Sequence, residues 1–167
     1  MQPGLKVSVI TPSYNQGIFL EACIRSVAEQ NYPNIEHIVM DGGSTDGSVD
    51  VLKKHASHLA YWVSEPDQGQ AFALNEGLRH ATGDVIGWVN SDDMYAAGAI
   101  RKVTAFFARH PDAVMVYGDC YVIDGNGRRL SSIRPGPFSQ DRLLWRNPIM
   151  QAAAFFRNDL RFMLLPP

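Results

Sequence analysis

Cysteine is nearly absent from this sequence. Cys23 and Cys120, the only two, stand far apart in the chain and form no metal or redox spacing. A disulfide scaffold and a small zinc module are thereby excluded, and a reduced, cytoplasmic setting is expected. Long apolar runs are missing as well, so no segment is expected to span a bilayer. The opening Met1-Gln2-Pro3-Gly4 has neither the basic nor the apolar region of a signal peptide. Positive charge is not in excess: Lys and Arg number 15 against 17 Asp and Glu, a net charge of −2. That balance argues against a polycation built to hold nucleic acid, and no nucleic-acid partner is expected. There is no Gly-Lys-Ser or Gly-Lys-Thr phosphate loop, no Gly-x-Gly-x-x-Gly fingerprint and no Gly-x-Ser-x-Gly elbow. The five histidines show no metal spacing, and repeats and low-complexity stretches are lacking.

What remains is 167 residues, 46% of them apolar and 19% charged, the mix of one globular domain with a real core. Charge is unevenly spread. Residues 1–120 carry 8 basic and 14 acidic side chains, whereas residues 121–167 carry 7 arginines and 3 aspartates. The basic segment reads either as a solvated surface or as a part that meets an anionic acceptor or the inner face of a membrane.

Short β-branched runs alternate with segments of helical period. Strands are expected at Lys6–Thr11, Ile35–Met40, Leu59–Ser64, Val85–Val89 and Ala113–Tyr117. Helices are expected from Ile18, from a cap at Ser44 or Thr45 to His55, from an Asp67 cap with Gln70 three residues on to Gly83, and over Ala97–His110. This alternation predicts an α/β fold with a mostly parallel, twisted sheet and helices on both faces. The order then changes. Asp124-Gly125-Asn126-Gly127 marks an antiparallel hairpin between Tyr121–Ile123 and Arg129–Ser132. A short helix at Gln140–Trp145 and a last strand at Ala152–Phe156 follow.

Ligands of open parallel sheets bind beyond the carboxyl ends of the strands, and this sequence puts its unusual polar residues there. Asp92-Asp93 closes the fourth strand. Two adjacent carboxylates repel, and a cation such as Mg²⁺ or Mn²⁺ lets both stay ionised; the alternative is a solvated loop in which one of them caps the next helix. Asp41, followed by two glycines, either accepts from a base or sugar or holds an Asx-type turn. Tyr14, past the first strand, either stacks on a planar base or packs. Asp67 and Gln68 either help hold an anion at a helix N-terminus or only cap it.

In this order the strand ends resemble the family 2 glycosyltransferases of GT-A fold. The resemblance rests on Val7-Ser8-Val9-Ile10-Thr11-Pro12-Ser13-Tyr14-Asn15, Asp41-Gly42-Gly43-Ser44-Thr45-Asp46-Gly47-Ser48, Ser64-Glu65-Pro66-Asp67-Gln68-Gly69, Ala73-Leu74-Asn75-Glu76-Gly77, Ala81-Thr82-Gly83-Asp84 and Asn90-Ser91-Asp92-Asp93-Met94-Tyr95. It implies transfer of a sugar, with inversion, from a nucleotide diphosphate donor to a carbohydrate or lipid-linked acceptor hydroxyl, assisted by Mn²⁺ or Mg²⁺. It implies that Thr11, Pro12 and Tyr14 line the base and ribose pocket and that Asp41 reads the base. Asp67 and Gln68 belong to a loop near the donor. Asp93 is the implied metal ligand, with Asp92 against ribose or the metal's waters. Residues 1–118 would form the nucleotide-sugar-binding half of a single domain, and 119–167 part of the acceptor half. Two departures stand out. Asn90 occupies the first position of the acidic motif, where many members have Asp. No residue matches the family's acceptor-side general base, so the chain is read as a catalytic domain truncated before that base, or one whose C-terminus has been replaced, with Phe155–Leu165 less well covered than in a full-length relative and prone to self-association. Two other readings remain: a nucleotide-sugar-binding module without turnover, and a phosphoacceptor signalling domain. The second wants a lysine after the fifth strand, where this chain has Gly118-Asp119.

Overall fold

A computed structural model describes residues 4–145, 147 and 149–159. Four parallel strands come first: β1 (Val7–Ser13), β2 (Ile35–Asp41), β3 (Tyr61–Ser64) and β4 (Val85–Trp88). They are joined by α1 (Gly17–Ala28), α2 (Ser48–His55) and α3 (Gln70–His80). Next come α4 (Ala99–Arg109), β5 (Met115–Tyr117), the hairpin β6 (Cys120–Ile123) and β7 (Arg129–Ile133), α5 (Gln140–Trp145) and β8 (Ala154–Arg157). The main sheet has six strands in the order β3-β2-β1-β4-β8-β5, and β6-β7 forms a separate two-stranded sheet. β8 runs antiparallel to both β4 and β5, which leaves β5 parallel to the first four.

β1 is central and buried along all seven residues, as a strand covered on both faces must be. Val7 and Val9 pack with Cys23 and Val27 of α1 and with Ile100 and Phe107 of α4. Ile10 faces the other way and packs with Ala73 and Leu74 of α3. Helices therefore cover both faces, as the alternation predicts. Connections leave β1 for β2 and β3 on one side and return to β4 on its other side. The strand order thus reverses between β1 and β4, the place where such sheets form a crevice.

Several expectations about termini are corrected. Ser44 and Thr45 do not cap α2. The helix begins at Ser48 after Gly47, whose φ is 96°, and Asp46 instead accepts from the Ser48 and Gly17 amides. Asp67 does not cap α3 either. Its carboxylate accepts from the amide of Gly69, the residue just before the helix, at 2.7 Å, and no side chain caps the helix itself. α4 starts at Ala99 without a side-chain cap, so neither Asp92 nor Asp93 has that role. Phe155 is not left uncovered: it is 2% exposed and its ring lies where a Cβ on Gly87 would stand, 2.5 Å away. The remainder of the Phe155–Leu165 expectation, from Leu160 on, lies outside the described residues.

At the amino ends of the strands, Glu36 ties β1, β2 and the loop before β4 together. It accepts from Ser8 Oγ (2.5 Å), Thr82 N (2.6 Å) and Gly83 N (3.1 Å), and pairs with Lys6 at 2.5 Å. Burial opposes its ionisation, but the bonds from Lys6, Ser8 and Thr82 outweigh that and hold the carboxyl at about 2. This network sits at the end of the sheet opposite the strand-end loops and serves the fold.

Candidate functional site

The carboxyl ends of β1, β2, β3 and β4 surround an open cleft of about 620 Å³. β1 contributes Pro12, Ser13 and Tyr14; the next loop contributes Gly42; the β3–α3 loop contributes Pro66, Asp67 and Gly69; the turn after β4 contributes Asn90, Ser91 and Asp92. Gln16, Gln70 and Ala73 complete the wall.

Chain geometry explains why these loops meet. Asn15 adopts φ 51°; its amide donates to Ser44 Oγ at 2.8 Å, and its side-chain oxygen accepts from Thr45 N at 2.9 Å. Asparagine tolerates this left-handed conformation because its short polar side chain bonds locally. Ser44 Oγ in turn donates to Asp41 at 2.6 Å, and Ser64 Oγ at the end of β3 does the same at 2.6 Å. The Ser44 amide adds a third bond at 2.9 Å. Asp41, 2% exposed, is thus the knot joining three strand ends. Gly42 lets the next loop close over it, since a Cβ there would stand 3.2 Å from both Asp67 carboxylate oxygens. Gly43, at φ 80°, passes beside Pro66.

Of the residues singled out in the sequence, Pro12, Tyr14, Asp67 and Asp92 line the cleft. Tyr14 is 64% exposed at its lip, with a ring face free to meet a planar group. Thr11, Asp41, Gln68 and Asp93 are not in the wall. Thr11 is buried beneath it, its hydroxyl 2.9 Å from His37 Nε2. Burial drives the His37 imidazole down to about 3, so it is neutral there. Cys23 lies beside Thr11 and donates to the Asn90 carbonyl at 3.5 Å; burial pushes its thiol up to about 12, which removes it as a nucleophile. Gln68 is exposed on its loop.

Asp93 is half-buried behind Asp92. Burial first, and then the neighbouring Asp92 charge, raise its carboxyl above the ordinary range, while a bond from Asn90 pulls the other way. A cation beside the pair would relieve that repulsion. Among the described residues no group of three or more His, Cys, Asp or Glu converges. An ion here would therefore have Asp93 and Asp92 as its protein ligands and take its remaining oxygens from water and from a bound phosphate. That incomplete, hard-oxygen donor set is the one Mg²⁺ and Mn²⁺ use when they share a substrate's phosphates.

Sequence reasoning missed four residues. Ser13 lines the cleft but is 5% exposed, and its hydroxyl oxygen is buried without a hydrogen-bond partner. Gln16, Gln70 and Gln151 are the others. Only Ser13 had a local signal, its place inside a quoted strand-end motif; the glutamines are ordinary in sequence and acquire a role through packing.

The family model for glycosyl transferase family 2 matches residues 8–161. A PGL/p-HBAD biosynthesis glycosyltransferase of Mycobacterium bovis is 34% identical over 157 residues, covering 92% of this chain and 59% of that protein. An uncharacterized glycosyltransferase of Nostoc is 33% identical over 129 residues, covering 75% of this chain and 40% of that protein. Among solved structures, a mannosyltransferase from Pyrobaculum calidifontis in complex with GDP-Man and Mn²⁺ superposes with a TM-score of 0.74 at 26% identity, over 99% of this chain and 48% of that one. S. aureus TarS in complex with UDP-GlcNAc gives 0.74 at 23% identity, over 93% and 46%, a likeness of fold alone. The chain spans about half the length of these proteins.

Proposed function

Because this chain belongs to glycosyl transferase family 2 and has the GT-A arrangement of sheet and helices, we propose that it binds a nucleotide diphosphate sugar in the strand-end cleft and serves an inverting sugar transfer. The observation that carries this reading is the meeting of Tyr14, Asp67 and Asp92 around one cleft at the point where strand order reverses.

The residues divide the work along the donor. Tyr14 stacks on the base, with Pro12 as apolar wall and buried Thr11 supporting the strand beneath. Asp41, expected from the sequence to read the base, is buried with both oxygens bonded to Ser44 and Ser64 and instead holds the loops that carry the pocket. The second oxygen of Asp67 is placed for ribose hydroxyls, with Gln68 on the same loop. Asp92 and Asp93 stand at the diphosphate end. A Mn²⁺ or Mg²⁺ ion held there would offset the charge that grows on the departing diphosphate. In the transfer, an acceptor hydroxyl oxygen bonds to the anomeric carbon from the face opposite the diphosphate. The anomeric carbon–oxygen bond to the diphosphate breaks, and the hydroxyl proton passes to a base. The acceptor, a carbohydrate or lipid-linked one, belongs to the side formed by the described residues after 118. Exposed Arg128, Arg129, Leu144 and Trp145 there support a peripheral contact with an anionic membrane surface. No described helix is long and apolar enough to cross a membrane.

Calorimetric titration with UDP, dTDP, GDP, CDP and ADP, each with and without Mn²⁺, tests the reading. One nucleotide is expected to bind preferentially and more tightly with Mn²⁺. Asp93→Ala is expected to remove the metal-dependent part, roughly tenfold or more for loss of a charged contact, at unchanged folded fraction. No saturable binding, or equal metal dependence in the variant, refutes the assignment. Incubation with a labelled nucleotide sugar separates an enzyme from a binding module without turnover, since only the former releases or transfers the sugar.

A further inference from the structure

We propose that Gln151 is a positioning residue for the acidic turn: through Asn90 it fixes how Asp93 faces the cleft and couples the segment 149–159 to metal-linked nucleotide binding. The proposal rests on the donor-site reading given above.

Its basis is a relay of side-chain amides from three elements. Gln151 lies in the 3₁₀ turn Gln151–Ala153 just before β8, and the pairing of β8 with β4 brings it beside the end of β4. Its Nε2 donates to the Trp88 carbonyl at 2.6 Å. A carbonyl oxygen only accepts, so this bond decides which end of the Gln151 amide points which way. Oε1 is therefore left facing Asn90 and requires an N–H there. Asn90 Nδ2 supplies it at 3.1 Å, and that in turn fixes the Asn90 amide. The same Nδ2 lies 3.4 Å from Asp93 Oδ2, and Asn90 Oδ1 accepts from Gln70 Nε2 at 2.8 Å. One backbone carbonyl thus sets the polarity of three amides, and the last link lies against the carboxylate assigned to the metal.

The relay also explains Asn rather than Asp at position 90. A carboxylate there would set an oxygen against Gln151 Oε1, acceptor facing acceptor, and add a third negative charge beside Asp92 and Asp93. The two residues are therefore interdependent: the acceptor–acceptor clash exists only with Gln151 in place, so removing Gln151 takes away that part of the cost of a carboxylate at 90.

The test measures nucleoside diphosphate affinity with and without Mn²⁺ for the wild type, Gln151→Leu, Asn90→Asp and the double variant. Gln151→Leu is expected to leave metal-free affinity unchanged and to reduce the Mn²⁺ enhancement about threefold to tenfold, the worth of one hydrogen bond. Asn90→Asp is expected to reduce the enhancement more in the wild-type background than in the Gln151→Leu background, where the clash with Oε1 is absent. If metal-free and metal-linked affinity fall together in Gln151→Leu, the residue only supports the fold and the proposal is overturned. Additive effects of the two substitutions overturn it as well. A wild type without any Mn²⁺ enhancement removes the donor-site reading and this proposal together, whereas an enhanced wild type with an equally enhanced Gln151→Leu removes this proposal alone.

Discussion

His37 shows how a residue outside the cleft wall governs the site from below. It is 2% exposed, pairs with Thr11 through Nε2 at 2.9 Å, and its Nδ1 has no partner. Burial lowers its imidazole from the ordinary 6.5 to about 3. In that interval the unfolded chain binds a proton that the folded chain refuses. Stability therefore rises with pH across the window and is lost as pH falls below the unfolded value. The expected loss is about 1.4 kcal/mol for each pH unit below 6.5, ending near 3. Urea unfolding of the wild type and of His37→Gln at pH 7 and pH 5 measures it. The wild type should lose more between the two values than the variant, which has nothing to titrate there. Equal losses would mean that His37 accepts a proton in the folded state.

At the scale of elements, α3 lies tightly on the sheet. A Cβ added at Gly77 would stand 2.5 Å from Ile10 Cγ2 and 3.4 Å from Met40 Cγ. Ile10 is β-branched and central in β1, so its methyl has nowhere to turn. In an open helix, Gly→Ala gains about 1 kcal/mol. Here Gly77→Ala is expected to cost about 1–3 kcal/mol through overpacking. Nucleotide affinity should fall with it, because α3 begins at Gln70 in the cleft wall. A stabilised variant in thermal unfolding would show that α3 does not sit this close. The first four strands were legible because their β-branched runs end in turn residues, and polar residues at the carboxyl ends of parallel strands announced Tyr14, Asp67 and Asp92. The insertion of β8 between β4 and β5 was not legible. It depends on Phe155 entering the space left by Gly87, a contact between distant segments that no local pattern records. Helix starts were misread for a related reason: Ser44 and Asp67 have capping chemistry, but the fold uses the first to hold Asp41 and the second to form the turn at Gly69. Gln70 was read as the partner of an Asp67 cap, whereas its amide bonds Asn90, and Gln151 left no trace in the sequence, because an amide gains direction only from the partner that packing gives it.

At the scale of the molecule, what the cleft contains can be set against what a transfer requires. Among the described residues, the carboxylates in its wall are Asp67 and Asp92. Asp67 already accepts the Gly69 amide, and Asp92 shares its surroundings with Asp93, whose carboxyl its charge helps to raise. In the donor-site reading proposed above both serve the donor, which leaves neither as a base for an acceptor hydroxyl. The relatives are longer: the chain covers 59% of the mycobacterial glycosyltransferase and 48% of the mannosyltransferase. A general base contributes about 10²–10⁴-fold to such a step. If the base is not among the residues of this cleft, the 167-residue chain is expected to bind donor with the metal dependence described above and to release sugar to water or acceptor slowly. Fusing it to the corresponding later part of a relative should raise transfer by about two orders of magnitude or more while leaving donor affinity within a few-fold. Measuring transfer, donor hydrolysis and nucleotide binding on both proteins separates the outcomes. Turnover by the 167-residue chain at about 1–10³ s⁻¹, undiminished against the fusion, would place the base within this chain. An unchanged rate in a fusion that still binds donor would put the limit at a step other than proton removal.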